Sequence, residues 1–230
     1  MLAFDIETTG LEPKDCVVTV VCTQDFQTGE RRAYEFGRVR AQEPENELLL
    51  RKELVDAFDA ATSLCAFNGV RFDIPFLHTA FNLPEHTTAA WLLKTTDILE
   101  AARLGCFGPA HTFGLNLLCQ HNNVAVKSGS GLQAIKFAQE GQWDKLVSYC
   151  ADDVRILCDL YRRRLLNNPR NYNVIDLGKI THANVYEQEQ DVMRMEIASL
   201  QEVITAQLVE LTDLRQKLAV YTEYCVCFEQ

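Results

Sequence analysis

The run Leu2–Glu7, LAFDIE, constrains this chain more than any other stretch. Its apolar residues mark a core strand, yet it carries Asp5 and Glu7 two positions apart. Successive side chains of a strand alternate between faces, so these two carboxylates share one face. Like charges converging inside a fold are costly unless a cation or hydrogen-bond donors neutralise them. A chain that begins this way must bring partners to that face.

The remaining pattern predicts how it does so. Strand-like runs at Leu2–Glu7, Val17–Asp25 and Arg31–Phe36 come first, the last two joined by the hairpin turn QTGE, Gln27–Glu30. Leu50, Leu54, Phe58 and Ala61 recur at helical spacing and predict a helix over Asn46–Ala61. Ser63–Asn68 predicts a fourth strand ending at the turn Asn68-Gly69. A helix over Phe72–Phe81, a strand at Trp91–Lys94 and a helix over Thr96–Arg103 follow. Further helices are expected at His111–Gln120, Leu132–Gln139 and Asp144–Leu165. Antiparallel strands followed by alternating helices and strands give an α/β domain, a mixed β-sheet flanked by helices, over residues 1–166.

At NNPRNYN, Asn167–Asn173, the pattern breaks, and residues 167–184 read as a linker. Beyond it Met193, Ile197, Leu200, Ile204, Gln207, Leu211, Leu214, Leu218 and Tyr221 alternate at spacings of four and three. That repetition predicts a C-terminal coiled-coil helix within 185–230, hence a homo-oligomer, with the polar d-position Gln207 placed to set register or oligomer number. An amphipathic helix packed back on the body is the other reading of the same pattern.

Composition narrows the class. Of 230 residues, 47% are hydrophobic and 23% charged, and no apolar run approaches the ~18 residues of a membrane span. No charged segment precedes an apolar leader, so an intracellular, soluble protein without a membrane partner is expected, in cytoplasm or nucleus. The nine cysteines form no CxxC pair and sit in apolar surroundings, as buried free thiols do in a reducing compartment. The net charge of −10 argues against broad, sequence-independent nucleic-acid binding through a basic surface, while action on phosphates is open to a chain whose positive charge comes from metal ions. The short run Arg162–Arg164 reads as a helix face rather than a localisation signal.

Three further residues answer the two acids of the first strand. Asp73 lies in FNGVRFDIPFL, after a strand and turn and at the start of a helix. Tyr149 and Asp153 lie in YCADDV, one turn apart on a single helical face. Each alone has an ordinary reading: a solvated strand edge, a helix cap, a surface hydrogen bond. Together, in this order, four carboxylates form a hard oxygen site of the kind that suits two Mg²⁺ or Mn²⁺ ions in displacement at phosphorus. The Tyr-x-x-x-Asp spacing selects Asp153, because Asp152 is turned about 100° around the helix. Asp97, in KTTDILEAA, is either an acid near the site or a helix cap, and capping is the simpler reading. His111 reads as structural, and Ser128–Gly131 as a flexible connection or a phosphate-binding loop.

FDIETTG, FNGVRFDIPFL and YCADDV resemble the three exonuclease motifs of the DEDD superfamily of 3′–5′ exonucleases, whose fold is ribonuclease-H-like. Tyr149 in place of a histidine resembles the Tyr-containing (DEDDy) branch, which includes the proofreading domains of family B polymerases. KSGSGLQAI (Lys127–Ile135), leading into EGQWDKLVSYCADDV, is similar to stand-alone predicted exonucleases of that branch. The resemblance covers about residues 1–165. It implies that Asp5 bridges two divalent metals, that Glu7 and Asp153 hold the ion activating water, and that Asp73 serves the second ion through its waters. Tyr149 would orient the attacking water and help hold the scissile phosphate. Thr8, Gly10 and Leu11 would cradle the terminal nucleotide, with Asn68 and Phe72 lining the same cleft. Ordinary turn and core roles are the alternative for these five. The implied reaction hydrolyses the phosphodiester at a nucleic-acid 3′ end and releases nucleoside 5′-monophosphates, with single-stranded DNA the favoured substrate and RNA the other. Two different readings compete: a catalytically silent scaffold recruited through its coiled coil, and a proofreading domain acting in trans for a replication or repair partner. No motif here specifies contacts to a 2′-hydroxyl, so the sequence does not separate DNA from RNA.

Overall fold

A computed structural model describes residues 1–103, 114–126, 131–170, 173–179, 194 and 197–218. The chain divides into two compact units, Met1–Val185 and Tyr186–Gln230. In the first unit β1 (Leu2–Thr8) is the middle strand of a five-stranded sheet. On one side lie β2 (Val18–Asp25) and then β3 (Arg31–Tyr34), each antiparallel to its neighbour. On the other lie β4 (Leu64–Ala66) and β5 (Thr95–Asp97), both parallel. The helices are α1 (Phe36–Gln42), α2 (Glu47–Ala60), α3 (Asp73–Phe81), α4 (Glu85–Leu93), α5 (Ile98–Arg103), α6 (Leu115–His121), α7 (Gly131–Gln139) and α8 (Trp143–Arg162). The mixed sheet flanked by helices expected from the sequence is the fold that forms.

Strand alternation splits the interior into two cores. Phe4 and Ile6 of β1 join Leu54, Phe58, Ile74 and Trp91 on one face of the sheet. Phe58 packs its ring against Phe4 at 4.8 Å and against Trp91 at 4.9 Å. Ala3, with Val20, Cys22 and Cys65 of the neighbouring strands, joins α5, α6 and α8 on the other face. Asp5 and Glu7 share the parity of Ala3, so the same period of two aims both carboxylates towards α8. At the end of β1 the pairing slips: Glu7 faces Val20 while Thr8 faces Val18. Thr19 is the extra residue, and its hydroxyl donates to the Glu7 carbonyl at 2.8 Å. Such a bulge re-aims the side chains beside it.

Several elements differ from expectation. Trp91–Lys94 is not a strand: Trp91 lies fully buried in the last turn of α4, its indole N–H donating to Asp59, and the strand starts at Thr95. Lys94 instead reaches the carbonyls of Phe58, Asp59 and Ala61 at the end of α2. Phe36 opens α1 rather than closing β3, because its ring is buried against Phe81. Helix α8 stops at Arg162, and Leu165–Asn167 pairs as β6 with β7 (Val174–Asp176). Asn167 and Val174–Asp176, within the stretch that reads as a linker, are therefore paired strand residues. Asn122 staples this strand pair to the body: its side-chain amide donates to the Asn167 carbonyl and accepts the Asn167 N–H, at 3.0 and 2.7 Å. Of the described cysteines, Cys22, Cys65, Cys119, Cys150 and Cys158 are buried and Cys16 partly so, all with free thiols. His111 and residues 128–130 lie outside the described residues, as do Met193 and Tyr221.

In the second unit residues 197–218 form one helix, on which Ile197, Leu200, Ile204, Leu211, Leu214 and Leu218 are all exposed. Among the described residues no helix is long and apolar enough to cross a membrane.

Asn122→Ala removes both staple bonds and the bond from its amide to the Leu118 carbonyl. The expected loss is about 1–3 kcal/mol of unfolding free energy, measured by urea denaturation; an unchanged midpoint would show that the strand pair holds without it.

Candidate active site

Three elements deliver the acids to one place. Asp5 and Glu7 come from the C-terminal half of β1 in the middle of the sheet, where neighbours on both sides fix the backbone. Asp73 is the first residue of α3, and Tyr149 and Asp153 lie one turn apart on α8. All five line a single cleft of about 450 Å³. One carboxylate oxygen from each of Asp5, Glu7 and Asp153 lies within 4.8 Å of the others. Asp5 and Glu7 are half-buried and Asp153 is buried. Three hard oxygen donors at such separations fit a divalent cation.

Asp73 stands outside that trio and is tied to the strand itself. Its Oδ1 accepts the N–H of Ile6 at 3.1 Å, between the two β1 acids. Burial, with the nearby charge of Asp97 adding to it, pushes the Asp73 carboxyl up to about 7, against the pull of the Ile6 N–H. The loop that carries Asp73 is held by Asp97 at the end of β5. That carboxylate accepts the N–H groups of Asn68 and Val70 at 2.9 and 3.0 Å, and of Leu99 and Glu100 at 2.9 and 3.2 Å. Asp97 thus caps α5 and clamps the β4–α3 loop at once. Burial raises its carboxyl above the usual range, and the backbone N–H groups hold it back.

Local chemistry explains the loop sequence. Asn68 adopts φ 65°, a left-handed conformation that asparagine tolerates better than most residues. A Cβ on Gly69 would sit 2.4 Å from that of Ala66, so the loop closes only around glycine here. Asn68 and Phe72 line the cleft. Thr8 ends β1, Gly10 and Leu11 follow it, and none of the three is among the described residues lining that cavity. The Thr8 hydroxyl donates to the Gly10 carbonyl at 2.6 Å, and Leu11 is 77% exposed. Asp152 pairs with Arg155 and points to solvent.

Two contributors carry no motif in the sequence. Cys150, between Tyr149 and Asp153, donates its thiol to the Asp5 carbonyl at 3.4 Å, and burial pushes that thiol well above its ordinary range. It therefore stays neutral beside the acids. Arg103, the last residue of α5, also lines the cleft. A terminal arginine on a short helix gives no signal until the fold brings it there.

The family model described as RNase_H superfamily matches residues 2–128. Among solved structures, the family B DNA polymerase from the hyperthermophilic archaeon Pyrobaculum calidifontis is similar at a TM-score of 0.53 and 16% identity. That match covers 70% of this chain and 24% of the polymerase chain, so this protein spans about a quarter of its length. A structure described as the apo form of a nuclease gives a TM-score of 0.49 at 23% identity over 70% of each chain. No curated protein matches the chain.

The Asp73 shift sets a pH dependence. Its folded pKa of about 7 lies above the ordinary 3.8, so the stability it contributes is full below pH 3.8 and is lost as pH rises to 7. Metal-free wild type should therefore lose stability relative to Asp73→Asn between pH 4 and 7 and change little above. Urea denaturation in chelator at pH 5 and pH 8 checks this; a constant difference between the two proteins contradicts it.

Proposed function

The chain belongs to the RNase H superfamily, and from that premise we propose that it is a metal-dependent 3′–5′ exonuclease of the Tyr-containing DEDD branch. The observation that carries this reading is the convergence of Asp5, Glu7 and Asp153 oxygens within 4.8 Å, in a cleft that Asp73 and Tyr149 also line. Asp5, Glu7 and Asp153 would hold one Mg²⁺ or Mn²⁺, and Asp73, beside Asp5, would serve a second. When bound, such ions supply hydroxide near neutral pH and neutralise charge on the leaving 3′ oxygen.

The chain's own residues do the rest. Tyr149 presents a phenol from the helical turn before Asp153, placed to orient water and to hold the scissile phosphate. Phe72 offers an aromatic face to a terminal base, and stacking of that kind is tolerant of sequence. The backbone bond from Ile6 keeps Asp73 in register with both β1 acids. The products would be nucleoside 5′-monophosphates released from a nucleic-acid 3′ end, single-stranded DNA being the first substrate to test and RNA the second.

The exposed heptad positions of residues 197–218 support a second element of this reading, self-association through the C-terminal helix. A chain ending at residue 184 should sediment at monomer mass while the full chain sediments as an oligomer. Equal mass per particle for both would remove the coiled coil from the account.

For the chemistry, 3′-labelled single-stranded DNA and RNA incubated with Mg²⁺ or Mn²⁺ should lose label to wild type. Asp5→Ala and Asp153→Ala should be inactive while keeping the wild-type fold by circular dichroism. Wild type as inert as both variants on every substrate would favour the scaffold reading.

A further inference from the structure

We propose that Arg103 is a phosphate anchor, binding a backbone phosphodiester of the nucleic-acid strand in the acidic cleft. The inference rests on the nucleic-acid reading of that cleft and adds a residue to it. Asp5, Glu7, Asp73 and Asp153 contribute four carboxylates to the lining, and Arg103 is the one Lys or Arg among the described lining residues. Divalent ions offset the carboxylates at the reacting bond, but the rest of an anionic strand still meets an acidic wall. A guanidinium gives that strand a directed attraction, and its planar fork matches phosphate oxygens in two parallel hydrogen bonds.

The helix that bears Arg103 is held at both ends by buried polar side chains. At its start the Asp97 carboxylate, 2% exposed, accepts the N–H groups of Leu99 and Glu100. At its end the Asn168 amide, fully buried, donates to the Ala102 carbonyl at 2.5 Å. Ile98, Leu99, Ala101 and Ala102 bury the faces between. A helix of six residues has little stability of its own, so this fastening is what orders it. Its consequence is a fixed stem one residue from the Ala102 anchor, with Arg103 half-buried at the cleft. Less side-chain freedom is then lost when the guanidinium meets its phosphate.

The test uses the full chain and a fluorescein-labelled oligothymidylate with phosphorothioate linkages at its 3′ end. Binding is followed by anisotropy in Ca²⁺ over a series of NaCl concentrations. Arg103→Gln should weaken binding about tenfold. It should also lower the slope of log affinity against log salt by about 0.7, the value of one phosphate contact on a single strand. Arg103→Lys keeps the charge and should keep the wild-type slope, with weaker binding from the lost fork. On the unmodified oligothymidylate in Mg²⁺ the glutamine variant should raise KM more than it lowers kcat. A wild-type slope and affinity in Arg103→Gln overturns the proposal, as does a lysine variant that loses the slope, which would mark a structural role. Binding by wild type without cleavage of the unmodified oligothymidylate in Mg²⁺ would instead overturn the exonuclease reading and leave the anchor standing.

Discussion

The hydrogen bond from the Ile6 amide to the buried carboxylate of Asp73 is the joint on which the site depends. Ile6 lies between Asp5 and Glu7, so one bond fixes the start of α3 against the strand that holds two of the other three acids. The bond also offsets part of the cost of burying Asp73, which burial and Asp97 otherwise drive towards protonation. Without a cation the site is electrostatically expensive. That expense argues for metal binding more directly than acid content does, since Asp73 and Asp153 are buried and Asp5 and Glu7 half-buried, where carboxylates are uncommon.

The scaffold around that joint is rigid in the places that matter. β1 is the middle strand, with antiparallel and parallel neighbours on its two edges, and its side chains alternate between two cores. α8 lies over the face that carries Asp5 and Glu7, and its buried row places Tyr149 and Asp153 in the cleft. Cys150 ties the same helix to the Asp5 carbonyl. Asp97 performs the equivalent task across the cleft, joining the β4–α3 loop to α5. Packing thus sets positions that surface loops could not hold to the tolerance that catalysis requires.

Much of this was legible in the residues themselves. The period of two placed Asp5 and Glu7 on one face, and the Tyr-x-x-x-Asp spacing separated Asp153 from the solvent-facing Asp152. Local pattern located the first three strands and the helix carrying Asp73. Illegible were features decided by contacts distant in sequence. Trp91–Lys94 looked like a strand because its residues are apolar, but burial of Trp91 against Phe58 keeps it helical. The asparagines near 167 looked like a linker because asparagine breaks regular structure. Here the Asn122 side chain stands in for a strand edge, and Asn168 is fully buried. Asp97 read as a cap, and it is one; its second pair of donors comes from a loop 27 and 29 residues earlier in the chain. Arg103 carries no pattern at all.

Strand polarity and metal dependence together test the central claim. Single-stranded DNA labelled at its 5′ end, sampled over time with Mg²⁺ and again with chelator, resolves both on one denaturing gel. The account predicts a ladder of labelled products shortening one nucleotide at a time in Mg²⁺, and intact substrate in chelator. Immediate release of labelled mononucleotide, internal cuts without a ladder, or equal degradation in chelator would contradict it.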